Sequence, residues 1–133
     1  MTTRIAVIDN DPKILNVMQE ALTTEGFAVE IFEDTKDLLA LVKEHRPHLI
    51  LIDYILDGIN GGELCRQLKA NPETANLPVI ICSAYSNILQ SLGFYGCDAF
   101  LAKPFELSDL IAEVNLLLRQ HYMSVVPQSS PEK

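Results

Sequence analysis

The sequence lacks the features that mark a membrane protein, a nucleic-acid binder or a secreted disulfide scaffold. No apolar stretch approaches the roughly 20 residues that span a bilayer. The N-terminus shows no charged start, apolar middle and small-residue cleavage site of a signal peptide. Basic residues are few: Lys and Arg number 10 against 18 Asp and Glu, a net charge of −8. They form no cluster of the kind that grips a phosphate backbone, so no direct nucleic-acid contact is expected of this segment. Cysteine is scarce. Cys65, Cys82 and Cys97 are odd in number and have neither CxxC nor Cys/His ligand spacing, which implies buried or inert thiols rather than a disulfide or a zinc site. The expectation is a cytoplasmic protein without membrane contact.

What the chain does have is the material for one core. Its 133 residues are 48% apolar and 21% charged, the balance of a single soluble globular domain. Short β-branched runs alternate with helical periodicity. Strands are predicted at Arg4–Asp9, Val29–Phe32, His48–Asp53, Val79–Cys82 and Ala99–Leu101. Helices are predicted at Asp11–Leu22, stopped by Gly26, at Thr35–Glu44, closed by Pro47, and at about Gly62–Ala70, Asn87–Tyr95 and Leu107–Gln120. Alternating strands and helices imply right-handed βαβ crossovers, hence an α/β fold with a doubly wound, five-stranded parallel sheet and five helices on its two faces. From Met123 the periodicity gives way to SVVPQSSPEK. Residues 1–121 are therefore expected to form the domain, with 122–133 a polar Pro/Ser-containing tail or the start of a linker.

In such a sheet ligands sit beyond the carboxyl ends of the strands. Those ends carry Asp9 and Asp11, Asp53, Ser83 and Lys103. Crowded carboxylates repel unless a cation lies between them, and oxygen-only ligands suit a hard ion such as Mg²⁺. One carboxylate can then act as nucleophile toward a phosphoryl group while a hydroxyl and an ammonium hold its other oxygens. Taken singly, each residue has a plain reading as a helix cap or a solvated charge. Four matching strand ends together shift the balance toward a site.

The segments IAVIDNDP at 5–12, LILIDYILDGINGGE at 49–63, VIICSAY at 79–85 and DAFLAKPF at 98–105, in this order and spacing, resemble the response-regulator receiver family of two-component signalling. The resemblance covers about Arg4 to His121. It implies a chemotaxis-regulator-like, flavodoxin-like strand order of 2-1-3-4-5. It also implies that Asp53 is the phosphoacceptor and that Ser83 and Lys103 hold the phosphoryl oxygens. Mg²⁺ would be ligated by Asp9, Asn10, Asp53 and the Ile55 backbone carbonyl, with Asp11 a further candidate. Ser83 and Phe100 would form the switch, and the Lys103–Pro104 bond would be cis. The resemblance further implies a histidine kinase or histidine phosphotransfer protein as donor. A downstream protein or an attached output domain would read the face built from the fourth helix, fifth strand and fifth helix, and homodimerisation is compatible with it. The chain would be a signalling switch rather than an enzyme, its only intrinsic chemistry Mg²⁺-dependent self-phosphorylation and slow autodephosphorylation.

The chain also departs from the family. Asn10 replaces the second acid of the metal-binding pair, which removes one negative charge and lowers the expected Mg²⁺ affinity. Asp57 replaces a loop proline. Ile55 and Tyr85 offer no hydrogen bond to orient attacking water, so the phosphorylated state is expected to be long-lived. The alternative is a pseudoreceiver, an interaction module that keeps the fold without the phosphorylation. A phosphohydrolase would carry an acid two places after the nucleophile, where Ile55 stands. A flavin binder would not place DNDPK at the cofactor phosphate.

Overall fold

The computed structural model describes residues 2–35, 37–56, 59–85 and 95–123. Five parallel strands form the main sheet: β1 (Arg4–Ile8), β2 (Ala28–Phe32), β3 (Leu49–Asp53), β4 (Val79–Ser83) and β5 (Ala99–Ala102). Their order across the sheet is β2-β1-β3-β4-β5, the expected doubly wound arrangement. Four helices accompany them: α1 (Pro12–Thr24), α2 (Leu38–His45), α3 (Gly61–Ala70) and α4 (Leu107–Leu118), the last continuing into a π-helical turn at Arg119–Met123. The helix predicted at Asn87–Tyr95 lies outside the described residues except for Tyr95, and so does the tail from residue 124.

Period-two alternation builds the two cores. Ala6 and Ile8 of β1, Ile50 and Ile52 of β3, and Val79 and Ile81 of β4 pack with Leu38, Leu41, Leu64 and Leu68 from α2 and α3. The intervening residues Ile5, Val7, Leu49, Leu51, Ile80 and Cys82 face Leu15, Met18 and Leu22 of α1 and Leu110, Val114 and Leu117 of α4. All five residues of β3 are buried, as a central parallel strand covered on both faces requires.

Local chemistry sets the element ends. Asp11 caps α1, its Oδ1 accepting from the Lys13 amide at 3.0 Å, and Pro12 opens the first turn. Gly26, with φ of +98°, ends that helix as predicted, and its amide donates to Thr23 O at 2.9 Å. Helix α2 begins three residues later than expected, at Leu38, because Asp37 caps it by accepting from the Ala40 amide at 3.0 Å. It ends at Arg46, which adopts a left-handed φ of 50° without being glycine. A two-residue antiparallel pair, Ile55–Leu56 with Ile59–Asn60, joins β3 to α3 and was not predicted.

Gly61 follows that pair, its amide donating to Tyr54 O at 2.7 Å. A Cβ at Gly61 would lie 2.0 Å from the Asp53 carbonyl oxygen, so the start of α3 approaches the end of β3 more closely than any side chain permits. The obstacle is backbone and cannot rotate away. Gly61→Ala should therefore destabilise the fold by about 1–3 kcal/mol, the usual cost of overpacking, measured by urea denaturation. A loss of only a few tenths would mean that the β3–α3 junction yields freely.

Candidate functional site

The carboxyl ends of β1, β3 and β5 meet around one ammonium. Lys103 Nζ lies 2.7 Å from Asp9 Oδ2 and 2.8 Å from Asp53 Oδ1. Asp9 is 2% exposed and Asp53 7%, so both carboxylates lie almost out of water. Each is also fixed by its own loop. The Asp11 amide donates to Asp9 Oδ1 at 2.9 Å, and the Ile55 amide donates to Asp53 Oδ2 at 3.1 Å. The sequence around IDNDP thus chains two turns: Asp9 accepts from Asp11, and Asp11 accepts from Lys13.

Burial raises the Asp53 pKa, the hydrogen bond and charge of Lys103 oppose the rise, and the neighbouring charge of Asp9 adds to it. Burial works against the Lys103 charge, but its bonds to Asp53 and Asp9 outweigh this, and its pKa is raised. The Lys103–Pro104 peptide is cis. The Lys103 amide donates to Ser83 O at 2.8 Å, which holds the loop after β5 beside the end of β4.

The remaining site positions are arranged differently. Ser83 is 1% exposed and stands one place beyond Cys82, the register partner of Asp53. Its Oγ accepts from the Tyr85 amide at 3.0 Å. Asn10 and Asp11 are exposed, and the Asp11 carboxylate is engaged in capping α1. The Ile55 side chain is 47% exposed and that of Tyr85 57%, both open to solvent near the site. Phe100 is half-buried and packs against the core formed with α2 and α3. Asp57 lies outside the described residues.

Among the described residues no three His, Cys, Asp or Glu side chains form a ready-made metal cage. Mg²⁺ does not require one, since it is ordinarily held by one or two carboxylates with water in its other positions. Asp9 and Asp53 supply two, oxygen-only and close enough for one ammonium to touch both. This donor set fits a hard divalent cation. All three cysteines are free, and burial pushes Cys65 and Cys82 up to about 12 and Cys97 to about 11, so none is a reactive thiolate.

One cluster had no signal in the sequence. Tyr54, next to Asp53, shares a hydroxyl–hydroxyl hydrogen bond of 3.1 Å with Tyr95, and Asn60 Nδ2 donates to the Tyr54 hydroxyl at 3.1 Å. Asn60 also caps α3, accepting from the amides of Gly62 at 2.7 Å and Glu63 at 3.2 Å. Forty-one positions separate the two tyrosines, and no periodicity links residues so far apart.

A parallel five-stranded sheet with buried acids at two strand ends and a lysine from the last strand's loop is the receiver-domain architecture that the sequence segments resemble. The family profile described as "Response regulator receiver domain" matches residues 5–115, and the chain belongs to that family. It is 34% identical over 123 residues to the DNA-binding response regulator MtrA of Mycolicibacterium smegmatis, covering 91% of this chain and 53% of that protein. The chain spans about half the length of the curated relatives it matches. Among solved structures, a CheY-like response regulator receiver domain protein of Methanospirillum hungatei superposes with a TM-score of 0.84 at 25% identity, over 93% of this chain and 99% of that one. The response regulator TrrA of Thermotoga maritima, in complex with Mg(2+)-BeF, gives 0.79 at 25% identity over 87% and 99%. Receiver domains of this family are signalling switches of two-component systems. No helix among the described residues is long and apolar enough to cross a membrane.

Removing the ammonium would leave two buried carboxylates facing each other. Lys103→Met should cost about 3 kcal/mol at neutral pH. The sign of the pH dependence follows from the raised Asp53 pKa. The stability Asp53 contributes is fully present below its unfolded pKa and is lost as pH rises through its folded one. Losing Lys103 raises the folded value of Asp53 further, so the penalty should be full at neutral pH and shrink as acid protonates Asp53. Chemical denaturation across that range checks this; a penalty independent of pH would mean the ammonium does not compensate the carboxylates.

Proposed function

We propose that Asp53 accepts a phosphoryl group from a histidine kinase or histidine phosphotransfer protein, and that this chemistry drives the receiver switch. The observation that carries the reading is the buried Asp53 carboxylate at the end of the central strand, sharing one lysine with Asp9. The Asp53 oxygen attacks phosphorus, the donor's P–N bond breaks as the new P–O bond forms, and the bond pair stays on the donor imidazole, which already carries a proton on its other ring nitrogen and leaves as neutral histidine. Lys103 already contacts the attacking carboxylate and is placed to follow negative charge onto the incoming phosphoryl oxygens. Ser83, once its hydroxyl turns from the Tyr85 amide, donates to a second oxygen, and Phe100 follows it inward. Asp9, Asp53, the Asn10 amide oxygen and the Ile55 carbonyl would hold Mg²⁺, with Asp11 remaining a cap. When bound, the ion neutralises phosphoryl charge at the carboxylates. The relative crystallised with Mg(2+)-BeF supports this choice of metal.

Ile55 and Tyr85 flank the acceptor without offering an orienting hydrogen bond to water, which favours slow hydrolysis. Residues 1–121 are the receiver unit, to which Tyr122 is tied by its hydroxyl donating to His48 O at 2.7 Å. The segment 122–133 serves as tail or the start of a linker, its first residue still bonded to the unit. The unit acts in the cytoplasm and signals to a protein partner or an attached output domain, alone or as a homodimer. The DNA-binding name of MtrA belongs to a protein about twice as long, so nucleic-acid contact would come from an output domain and not from this acidic segment. A pseudoreceiver is the second reading, favoured by Asn10 in place of the second acid.

Incubation with Mg²⁺ and acetyl phosphate should add one phosphoryl group, located at Asp53 by mass spectrometry and persisting for minutes. Asp53→Asn should add none. Equal labelling of both proteins would displace the acceptor from Asp53; no labelling of either, together with no response to beryllofluoride, would favour the pseudoreceiver.

A further inference from the structure

The Tyr54–Tyr95 contact joins the residue next to Asp53 to the far end of the connection between β4 and β5. Tyr54 belongs to the acceptor side. Its amide donates to Cys82 O at 2.8 Å and its carbonyl accepts from Gly61 at 2.7 Å, so its backbone is pinned between β4 and the start of α3. Its hydroxyl is held in turn by Asn60, the cap of that helix, at 3.1 Å. Tyr95 belongs to the other side, the connection that leaves β4 at Ser83 and returns to β5 at Ala99.

The two rings lie 5.8 Å apart at 59°, and their hydroxyls meet at 3.1 Å. Tyr95 comes this close because of Gly62. A Cβ at Gly62 would fall 2.9 Å from three atoms of the Tyr95 ring, so the ring lies directly against the first turn of α3 where any other residue would hold it off. The tyrosine and the glycine are a matched pair, and the outcome is a hydrogen bond one residue away from the acceptor. That bond lifts the Tyr95 phenol above its ordinary pKa, which gives it a spectroscopic mark.

In the same structure Ser83 Oγ is turned to the Tyr85 amide at 3.0 Å. A hydroxyl that leaves this bond for a phosphoryl oxygen acts at the end of β4, where the Cys82 carbonyl accepts from the Tyr54 amide. The bond between the tyrosines resists a shift of Tyr54 there.

We propose that the Tyr54–Tyr95 hydroxyl pair, seated on Gly62, is a latch that holds the unphosphorylated arrangement and opens when the acceptor is charged. The proposal rests on the receiver reading given above and names a regulator of that same site. Tyr54 and Tyr95 are positioning residues and touch no phosphoryl atom. The latch sets the threshold of the switch, because whatever stabilises the resting state subtracts from the apparent affinity for the activating group.

The test is beryllofluoride affinity in the presence of Mg²⁺, measured by calorimetry on the wild-type chain, Tyr54→Phe, Tyr95→Phe and the double variant, each verified as folded by circular dichroism. Phenylalanine keeps the rings and removes only the hydroxyls. Each single variant should bind about fivefold more tightly, the effect of one ordinary hydrogen bond lost from the resting state. The double variant should bind no more tightly than the tighter of the two singles, because both remove the latch bond, and the Asn60 bond that Tyr54→Phe also loses lies wholly on the acceptor side. Wild-type binding with unchanged or weakened affinity in the single variants, or with additive effects in the double, would overturn the latch and leave the receiver reading intact. No binding by the wild-type chain would overturn the receiver reading and the latch with it.

Discussion

Two carboxylates held out of water by one shared ammonium are the constraint around which this domain is organised. Asp9 and Asp53 come from neighbouring strands of the sheet, β1 and β3, and Lys103 comes from the loop after the far strand β5. Each carboxylate alone would be costly at these exposures of 2% and 7%. Together they would repel as well. The lysine offsets both costs only if β5 lies beside β4, β4 beside β3, and the loop after β5 is drawn back over the strand ends. The Lys103–Ser83 backbone hydrogen bond of 2.8 Å does the last of these. Strand order, register and loop closure thus converge on one nitrogen.

The same arrangement explains why the site is poised. Burial pushes the Asp53 carboxyl toward its neutral form while Lys103 keeps the ionised form within reach. The two carboxylates outnumber the one ammonium, an excess of acidic oxygens that suits a divalent cation. In the proposed metal site Asn10 stands where the family carries a second acid and supplies one negative charge fewer, so the consequence falls on metal affinity.

Much of this was legible in the sequence because buried parallel strands read as unbroken apolar runs, and HLILID and VIICS could hardly be anything else. The ends of those runs named Asp53 and Ser83 directly, and IDNDP advertised both Asp9 and the helix cap that follows it. Other features carried no local signal. The pair Ile55–Leu56 with Ile59–Asn60 is too short to show alternation. Arg46 takes a left-handed conformation that glycine or asparagine would have announced. Helix α2 starts late because Asp37, rather than Thr35, caps it. Gly61 and Gly62 are places of close approach, to the Asp53 carbonyl and to the Tyr95 ring, and nothing in the local pattern signals which atoms they meet. The strand-end argument brought Lys103 and Asp9 to one face, but the bond between them spans 94 positions and no sequence pattern signals it.

The proposed function requires a desolvated Asp53 carboxylate held by Lys103 and open to a divalent cation. Carbon-13 NMR titration of the aspartate carboxyls, with and without Mg²⁺, reads this at the atom concerned. The Asp53 carboxyl should titrate above the ordinary carboxylate range in the metal-free protein, and Mg²⁺ should draw its pKa down. An Asp53 that titrates at the ordinary value and does not respond to Mg²⁺ would contradict it.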